Sequence, residues 1–170
     1  YESMYGDLCD ANVVKNALED ITHVVLLAGL VGDPITKKYT EASQAINDVG
    51  IKNCIDQLNG IGLEHFVFVS TCSNYGLIEG NQLADENFEL KPLSLYAKSK
   101  VATEQYILGL NGNVDYTPTV LRFATAFGLS TRMRFDLTVS EFTRELAFFH
   151  SFKTKGYLFS KFLQKSNQFE

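Results

Sequence analysis

The chain has 170 residues, of which 45% are hydrophobic and 21% are charged, and its formal net charge is −5. These values are ordinary for one globular domain with a sizeable core. They argue against a nonspecific nucleic-acid binder, which would carry a basic excess. They also argue against a membrane protein, because no apolar run approaches the ~20 residues that span a bilayer.

The cysteines and histidines show no spacing typical of a disulfide framework or a metal site. The three cysteines are odd in number and far apart, which predicts free thiols in a reducing compartment and hence a cytoplasmic location. The three histidines are equally scattered, so the sequence predicts no metal site. The positions are Cys9, Cys54 and Cys72 for the cysteines, and His23, His65 and His150 for the histidines.

The first part of the chain alternates between helical and strand patterns. Asp10 or Asn12 caps a predicted helix that runs to about Glu19. The apolar run 23–29 then predicts a strand that is covered on both faces. A helix is predicted over 38–58, followed by a buried strand over 66–69 that ends at Ser70-Thr71. The inward positions of the 38–58 helix are predicted to be Ala42, Ala45, Ile46, Val49, Ile51, Ile55 and Leu58.

The second part begins with a long polar connection over 72–93. Ser94 caps a helix that runs to about Leu110, and a third strand is predicted over 119–123. Asp136 caps a last amphipathic helix to about residue 147. Strands that alternate with helices imply right-handed crossovers and a parallel sheet, so the fold class is α/β.

The most informative segment is Tyr96-Ala97-Lys98-Ser99-Lys100, in the predicted 94–110 helix. Tyr96 and Lys100 are four residues apart, so their side chains leave one face of the helix. An ammonium beside a phenol favours the phenolate, which suits proton removal from an alcohol. Taken alone the pair is more often a half-buried packing tyrosine and a solvated lysine than a catalytic pair.

Other residues converge on the same place. In a parallel sheet, ligands bind at the carboxyl ends of the strands. Ala28-Gly29, Ser70-Thr71 and the segment after residue 123 all lie at that edge, within reach of the 94–110 helix. The Thr71 hydroxyl is therefore expected to orient a substrate alcohol between strand and helix.

Read together, these residues resemble the extended short-chain dehydrogenase/reductase family, the NAD-dependent nucleotide-sugar epimerases and dehydratases. The resemblance covers residues 5 to about 147. It implies a partial Rossmann-like doubly wound parallel sheet that lacks its first strands, in a chain truncated at both ends. The matching segments are Gly6-Asp7, 25–29 with Val31-Gly32, 47–50, 68–76, 92–100 and 121–123.

The resemblance also implies a role for individual positions. Thr71, Tyr96 and Lys100 correspond to the catalytic set, and Tyr96 and Lys100 also hold the nicotinamide ribose. The other cofactor-binding positions are Asp7, Leu8, Ala28, Gly29 and Asn47. Substrate contacts are implied for Ser73, Asn74, Thr125 and Arg134. For Asp7 a turn or helix-cap role stays open, for Asn47 a surface amide, and for Arg134 a solvated loop.

The implied reaction is oxidation of a sugar hydroxyl by NAD to a transient 4-keto sugar, with a nucleotide sugar as substrate. Dehydratases of the family carry an acidic pair after the threonine, where this chain has Cys72 and Ser73, which favours a nucleotide-sugar epimerase. A dehydratase, another NAD(P)-dependent alcohol dehydrogenase and a non-catalytic fragment stay open, as does NADP as the cofactor. By analogy, a homodimer formed through helices 38–58 and 94–110 is expected for the intact parent.

The expected domains are a partial NAD(P)-binding Rossmann-like domain over 1–147 and an atypical, poorly ordered tail over 148–170. The family's glycine-rich loop and first strands precede the point where this chain begins. An open sheet edge and an uncovered apolar face are therefore expected beside the 23–29 strand. Weak NAD binding by the isolated chain is expected for the same reason.

Overall fold

A computed structural model of the chain describes residues 2–135 and 137–149. The chain divides into two compact units, residues 1–124 and 125–170. The predicted cap Asp136 lies outside the described residues, as does nearly all of the predicted tail. The domain boundary at residue 147 therefore stays a prediction.

The first unit contains three strands and five α-helices, with a π-helical segment and a 3-10 turn between them. The strands are β1 (His23–Leu26), β2 (His65–Thr71) and β3 (Thr117–Phe123). The helices are α1 (Ala11–Ala17), α2 (Asp33–Lys38), α3 (Thr40–Gln44), α4 (Ile51–Asp56) and α5 (Leu95–Gly109). The π-helical segment is Ala45–Gly50 and the 3-10 turn is Cys72–Tyr75, while α6 (Thr138–Phe149) belongs to the second unit.

The three strands form a parallel sheet in the order β1-β2-β3, which confirms the predicted α/β class. His23 pairs with His65 at the start of β1 and β2, and Thr71 pairs with Phe123 at the end of β2 and β3. All strands end at one edge of the sheet, the edge where the sequence places the site.

The core lies between the sheet and the helices α1, α4 and α5. Phe66 and Phe68 of β2 are fully buried, and the Phe66 ring meets the Tyr116 ring edge-on. Their partners from the helices and loops are Val14, Ile51, Cys54, Ile55, Leu58, Leu63 and Ile107. No helix in the described part of the chain combines the length and the apolar content of a membrane span.

The prediction that the first strand is covered on both faces is wrong. Leu26 is buried, but its neighbour Val25 is 59% exposed and Leu27 is 70% exposed. Side chains alternate between the two faces of a strand, so one apolar face of β1 packs on the core and the other meets solvent. These exposures agree with the expected uncovered apolar face.

The predicted single helix 38–58 is also wrong in its start and its phase. Helix formation begins at Asp33, with Pro34 in the first turn where a proline is well tolerated, and it is interrupted at Tyr39. The π-helical segment then has a wider turn than an α-helix, which shifts the inward face by one residue. The buried residues Ser43, Asn47 and Gly50 each follow a predicted inward position, Ala42, Ile46 and Val49, by one residue, and the predicted Ala45 is exposed. After the π-helical segment, Ile51, Ile55 and Leu58 are buried as predicted.

The helix α5 follows its prediction closely. The Ser94 side chain accepts a hydrogen bond from the backbone N–H of Ala97 at 3.1 Å, the N-cap geometry that serine favours. This cap determines where the helix begins, and with it the direction of every side chain that follows. Tyr96, Lys100 and Glu104 are spaced by four, and Lys100 and Glu104 are both buried.

Candidate active site

Thr71 ends β2 and begins the 3-10 turn. Its backbone is extended, and its hydroxyl oxygen accepts a hydrogen bond from the backbone N–H of Ser73 at 3.2 Å. A hydroxyl that accepts in this way keeps its own hydrogen and a second lone pair. Thr71 can therefore donate to the oxygen of a substrate at the carboxyl edge of the sheet.

Lys100 lies against the end of β2. Its Nζ donates to the Val69 carbonyl oxygen at 2.8 Å, two residues before Thr71. The same nitrogen lies 4.4 Å from the centroid of the Phe68 ring and 5.8 Å from that of the Tyr96 ring. The structure thus brings the predicted tyrosine and lysine together, beside the strand end that carries the predicted threonine.

The lysine is only 7% exposed. Burial lowers the pKa of Lys100 to about 8, and the negative charge of Glu104 acts in the opposite direction. At neutral pH, most molecules therefore still carry Lys100 as an ammonium. Its charge faces the aromatic rings of Phe68 and Tyr96, whose faces attract cations.

A buried carboxylate ties four elements together behind these residues. Glu104 of α5 is 1% exposed and accepts hydrogen bonds from Ser70 at the end of β2 and, at 2.7 Å, from Asn74 in the 3-10 turn. Arg122 of β3 donates to it through Nε at 2.9 Å and Nη2 at 2.8 Å. This two-pronged contact raises the pKa of the Arg122 guanidinium, so Arg122 stays charged.

Asn74 and Ser73, both predicted substrate contacts, occupy different environments in the turn. Asn74 is fully buried, and its Nδ2 donates to Glu104 and to the Ser70 hydroxyl at 3.0 Å. Its Oδ1 is buried without a hydrogen-bond partner among the described residues. Ser73 is exposed. Of the two, only Ser73 has its side chain open to an incoming molecule.

The sequence alone predicts no functional role for Glu104 or Arg122. A pattern in the sequence does point to Glu104, because it follows Lys100 by four residues just as Lys100 follows Tyr96. A carboxylate on that inward face needs a buried cation or several donors. Arg122 lies within the predicted strand over 119–123, where a charged residue in an apolar run is unusual.

The turn after β1 contains Gly29 and is held by the side chain of Asn47 from the π-helical segment. Gly29 has φ +142°, and a Cβ there would lie 3.0 Å from the Asn47 Oδ1. The Asn47 side chain accepts from the Leu30 N–H at 2.8 Å and donates to the Leu30 carbonyl oxygen at 3.0 Å. Asn47 therefore shapes the turn, and Ala28 beside it packs partly buried against the core.

The remaining predicted residues are spread more widely. Asp7 accepts a hydrogen bond from the Cys9 N–H at 2.9 Å, which is the turn role that the sequence left open, and Leu8 packs against the core. Thr125 and Arg134 belong to the second unit. Thr125 is exposed, and Arg134 lines a cavity of about 260 Å³ within that unit.

Comparisons with known proteins identify the family of the chain. Residues 2–147 match the model of the NAD dependent epimerase/dehydratase family. The chain is 29% identical over 120 residues to the 3 beta-hydroxysteroid dehydrogenase/Delta 5-->4-isomerase of Mycobacterium tuberculosis, covering 65% of this chain and 32% of that protein. It is 28% identical over 144 residues to UDP-glucuronate 4-epimerase 6 of Arabidopsis thaliana, covering 83% and 31%.

A solved structure shares the fold. MoeE5 in complex with UDP-glucose and NAD superposes with a TM-score of 0.72 at 27% identity, over 84% of this chain and 46% of MoeE5. The chain spans about a third of the length of the curated relatives it matches. The family model covers most of the chain, including the strand ends and α5, and the chain therefore belongs to the NAD dependent epimerase/dehydratase family.

Proposed function

We propose that the intact protein is an NAD-dependent nucleotide-sugar epimerase that works through a transient 4-keto sugar. The observation that carries the proposal is the Lys100 amine, held between the Tyr96 ring and the end of β2. The Arabidopsis epimerase supports the choice of substrate class, because its match extends over 83% of the chain.

The residues present suit the nicotinamide half of the cofactor. Gly29 adopts a φ that disfavours side chains, at a strand end where the backbone can approach a ligand closely. Lys100 uses one N–H on Val69 and has two further donors for ribose hydroxyls. When bound, NAD would supply the hydride acceptor, with Tyr96 and Lys100 holding the nicotinamide ribose.

The protein's own part in the reaction is proton transfer. Tyr96, as a phenolate, takes the proton of the sugar hydroxyl, and the Lys100 ammonium stabilises the phenolate charge. Thr71 donates its hydrogen to the same sugar oxygen and orients it. After the keto sugar has rotated in the site, Tyr96 returns the proton to the sugar oxygen. Return of the hydride to the opposite face of C4 gives the inverted alcohol.

The turn after Thr71 favours an epimerase over a dehydratase. Elimination of water needs an acid and a base beside the sugar, and this turn carries Cys72 and Ser73 instead. The buried carboxylate behind the turn, Glu104, is already held by Arg122 and Ser70. It is therefore not available as that acid or base.

A second candidate is oxidation of a hydroxysteroid, supported by the match to the mycobacterial enzyme. The same tyrosine and lysine would remove the proton of the steroid hydroxyl. The hydride would not return to the substrate and would leave the site on the reduced cofactor. NADP in place of NAD, and a homodimer through the helical segments 38–58 and 94–110, also stay proposals for the intact protein.

The test compares the products of the full-length parent on UDP-glucuronic acid and on a 3β-hydroxysteroid, each with NAD. We expect the C4 epimer of the sugar, seen by proton NMR, without net formation of NADH. Tyr96→Phe should lower kcat by about 10²–10⁴-fold, the usual contribution of a general acid-base group. Tyr106→Phe, on the outer part of the same helix, is the matched control and should leave kcat unchanged. Steroid oxidation with stoichiometric NADH, and no sugar product, would overturn the proposal in favour of the second candidate.

A further inference from the structure

Two histidines and a glutamate meet at the amino edge of the sheet, opposite the carboxyl edge that carries Thr71. His23 and His65 are the first residues of β1 and β2 and are paired in the strand register. Their ring centroids are 5.1 Å apart and the rings are tilted by 41°. Glu64 precedes β2, and one potential ligand atom from each of the three side chains lies within 4.8 Å of the others.

The expectation that the chain has no metal site was based on the separation of the histidines in sequence. His23 and His65 are far apart along the chain, but the parallel pairing of β1 and β2 places them side by side. Sequence spacing therefore says nothing about this cluster, because strand register creates it.

The donor set suits Zn²⁺. Two imidazole nitrogens and one carboxylate oxygen are common zinc ligands, at about 2.0–2.2 Å from the ion, with water in an open position. Atoms bound to one ion at that distance are a little over 3 Å apart, so the three side chains must close slightly. All three are exposed, and exposed side chains change rotamer with little resistance from packing.

The backbone that carries the ligands is already held in place by Thr22. The carbonyl oxygen of Thr22 accepts from the Glu64 N–H at 2.8 Å and from the His65 N–H at 3.3 Å. The Thr22 hydroxyl lies 2.9 Å from the Nδ1 of His23. In the tautomer with its hydrogen on Nδ1, His23 donates to Thr22, and this contact orients the ring and leaves the Nε2 lone pair for the ion.

We propose that His23, Glu64 and His65 form a zinc-binding site, with water completing the coordination of Zn²⁺. The site fastens the short edge strand β1 to β2 at the end remote from the reaction. It is independent of the proposed epimerase activity, since none of its residues contacts Thr71, Tyr96 or Lys100 among the interactions described.

The experiment uses the chain with Cys9→Ser and Cys72→Ser, which removes the two partly exposed thiols as competing ligands. Titration with Zn²⁺ by calorimetry, and with Co²⁺ by visible absorption, should show one ion per chain without a sulfur charge-transfer band. His23→Ala and His65→Ala should each abolish the binding, and Thr22→Val should weaken it by about tenfold, as loss of an outer partner does.

His150→Ala is the matched control, because it removes the third histidine of the chain and should leave binding unchanged. Zn²⁺ should also raise the melting temperature of the parent chain but not that of His65→Ala, since a ligand stabilises the state that binds it. Circular dichroism shows that each variant is folded. Binding that survives in the His23→Ala/His65→Ala double variant, or no binding in a large excess of Zn²⁺, would overturn the proposal.

Discussion

Lys100 and Glu104 lie one helical turn apart on the inward face of α5, and they are buried for different reasons. Lys100 lies with a lowered pKa beside the Tyr96 ring, whereas Glu104 is surrounded by donors from three other elements. In the proposed mechanism the lysine ammonium acts directly on Tyr96. The glutamate acts as a positioning residue, because its partners Ser70 and Asn74 flank Thr71 in the chain.

The low pKa of Lys100 predicts a pH dependence of stability. The ordinary lysine pKa is 10.5 and the folded value is about 8, so between these values the unfolded chain binds the extra proton. Stability should therefore rise with pH through this group, by about 2–3 kcal/mol between pH 7 and pH 10. Urea unfolding of the chain and of Lys100→Met at several pH values measures it. As pH rises, the free energy of unfolding of the unsubstituted chain should increase relative to that of Lys100→Met. Parallel pH curves for the two proteins would contradict the prediction.

Removal of the Glu104 charge should be strongly destabilising. Glu104→Gln leaves the partly buried Arg122 guanidinium without its counter-ion, and breaking a buried pair from one side costs about 3–5 kcal/mol. Replacement of both residues, Glu104→Met with Arg122→Met, should recover most of that loss because no charge is left unpaired. Chemical unfolding measures both effects, and a single variant as stable as the double variant would be inconsistent with this account.

A matched control exists on the surface. Lys91 and Glu89 form an ion pair whose side chains are 62% and 73% exposed. Glu89→Gln should leave the unfolding free energy unchanged within error, because solvent screens exposed pairs. If Glu89→Gln and Glu104→Gln lowered the free energy of unfolding by similar amounts, burial of Glu104 would not explain its larger expected effect.

Among the elements, α5 could be predicted from sequence and the segment 33–56 could not. The start of α5 depends on a local contact, the Ser94 cap, and local contacts are visible in sequence. The π-helical segment depends on Asn47, whose side chain binds the backbone of Leu30, 17 residues earlier. Periodicity in the sequence assumes an α-helix throughout and so places the inward face one residue off.

This interpretation of the π-helical segment predicts a cost for Asn47→Ala. The N–H and carbonyl of Leu30 both lose their partner, and unsatisfied buried backbone groups typically cost about 1–3 kcal/mol. Gln44→Ala, an exposed residue of α3, is the control and should be neutral. Equal unfolding free energies for the two variants would show that the Asn47 contacts do not hold the segment.

The candidate site shows the same division between local and distant contacts. Tyr96 and Lys100 were predicted to be neighbours because helix geometry alone decides it, and the structure places them so. The edge of the sheet that Tyr96 and Lys100 face could also be predicted, because parallel strands bring their carboxyl ends to the same edge. Partners that come from a different strand, such as Arg122 for Glu104 and His65 for His23, depend on register and packing that no window of sequence contains.

For the whole molecule, the residues proposed to hold the nicotinamide half lie within the 170 residues, whereas these residues contain no glycine-rich phosphate loop. Such a loop, with the helix N-terminus behind it, provides much of the affinity for the pyrophosphate. Calorimetry of the 170-residue chain with NAD should therefore show weak or no binding, whereas the full-length parent should bind. Micromolar affinity of the short chain would contradict this prediction.

The Glu104 and Arg122 pair restricts how this sequence can drift over generations. A substitution that removes one of the two charges leaves the other without its partner at the joint of α5, β2 and β3. Selection against that loss of stability favours lineages in which both positions keep their charges or both lose them. In a collection of relatives, positions 104 and 122 should vary together, and that covariation can be counted without purifying any protein.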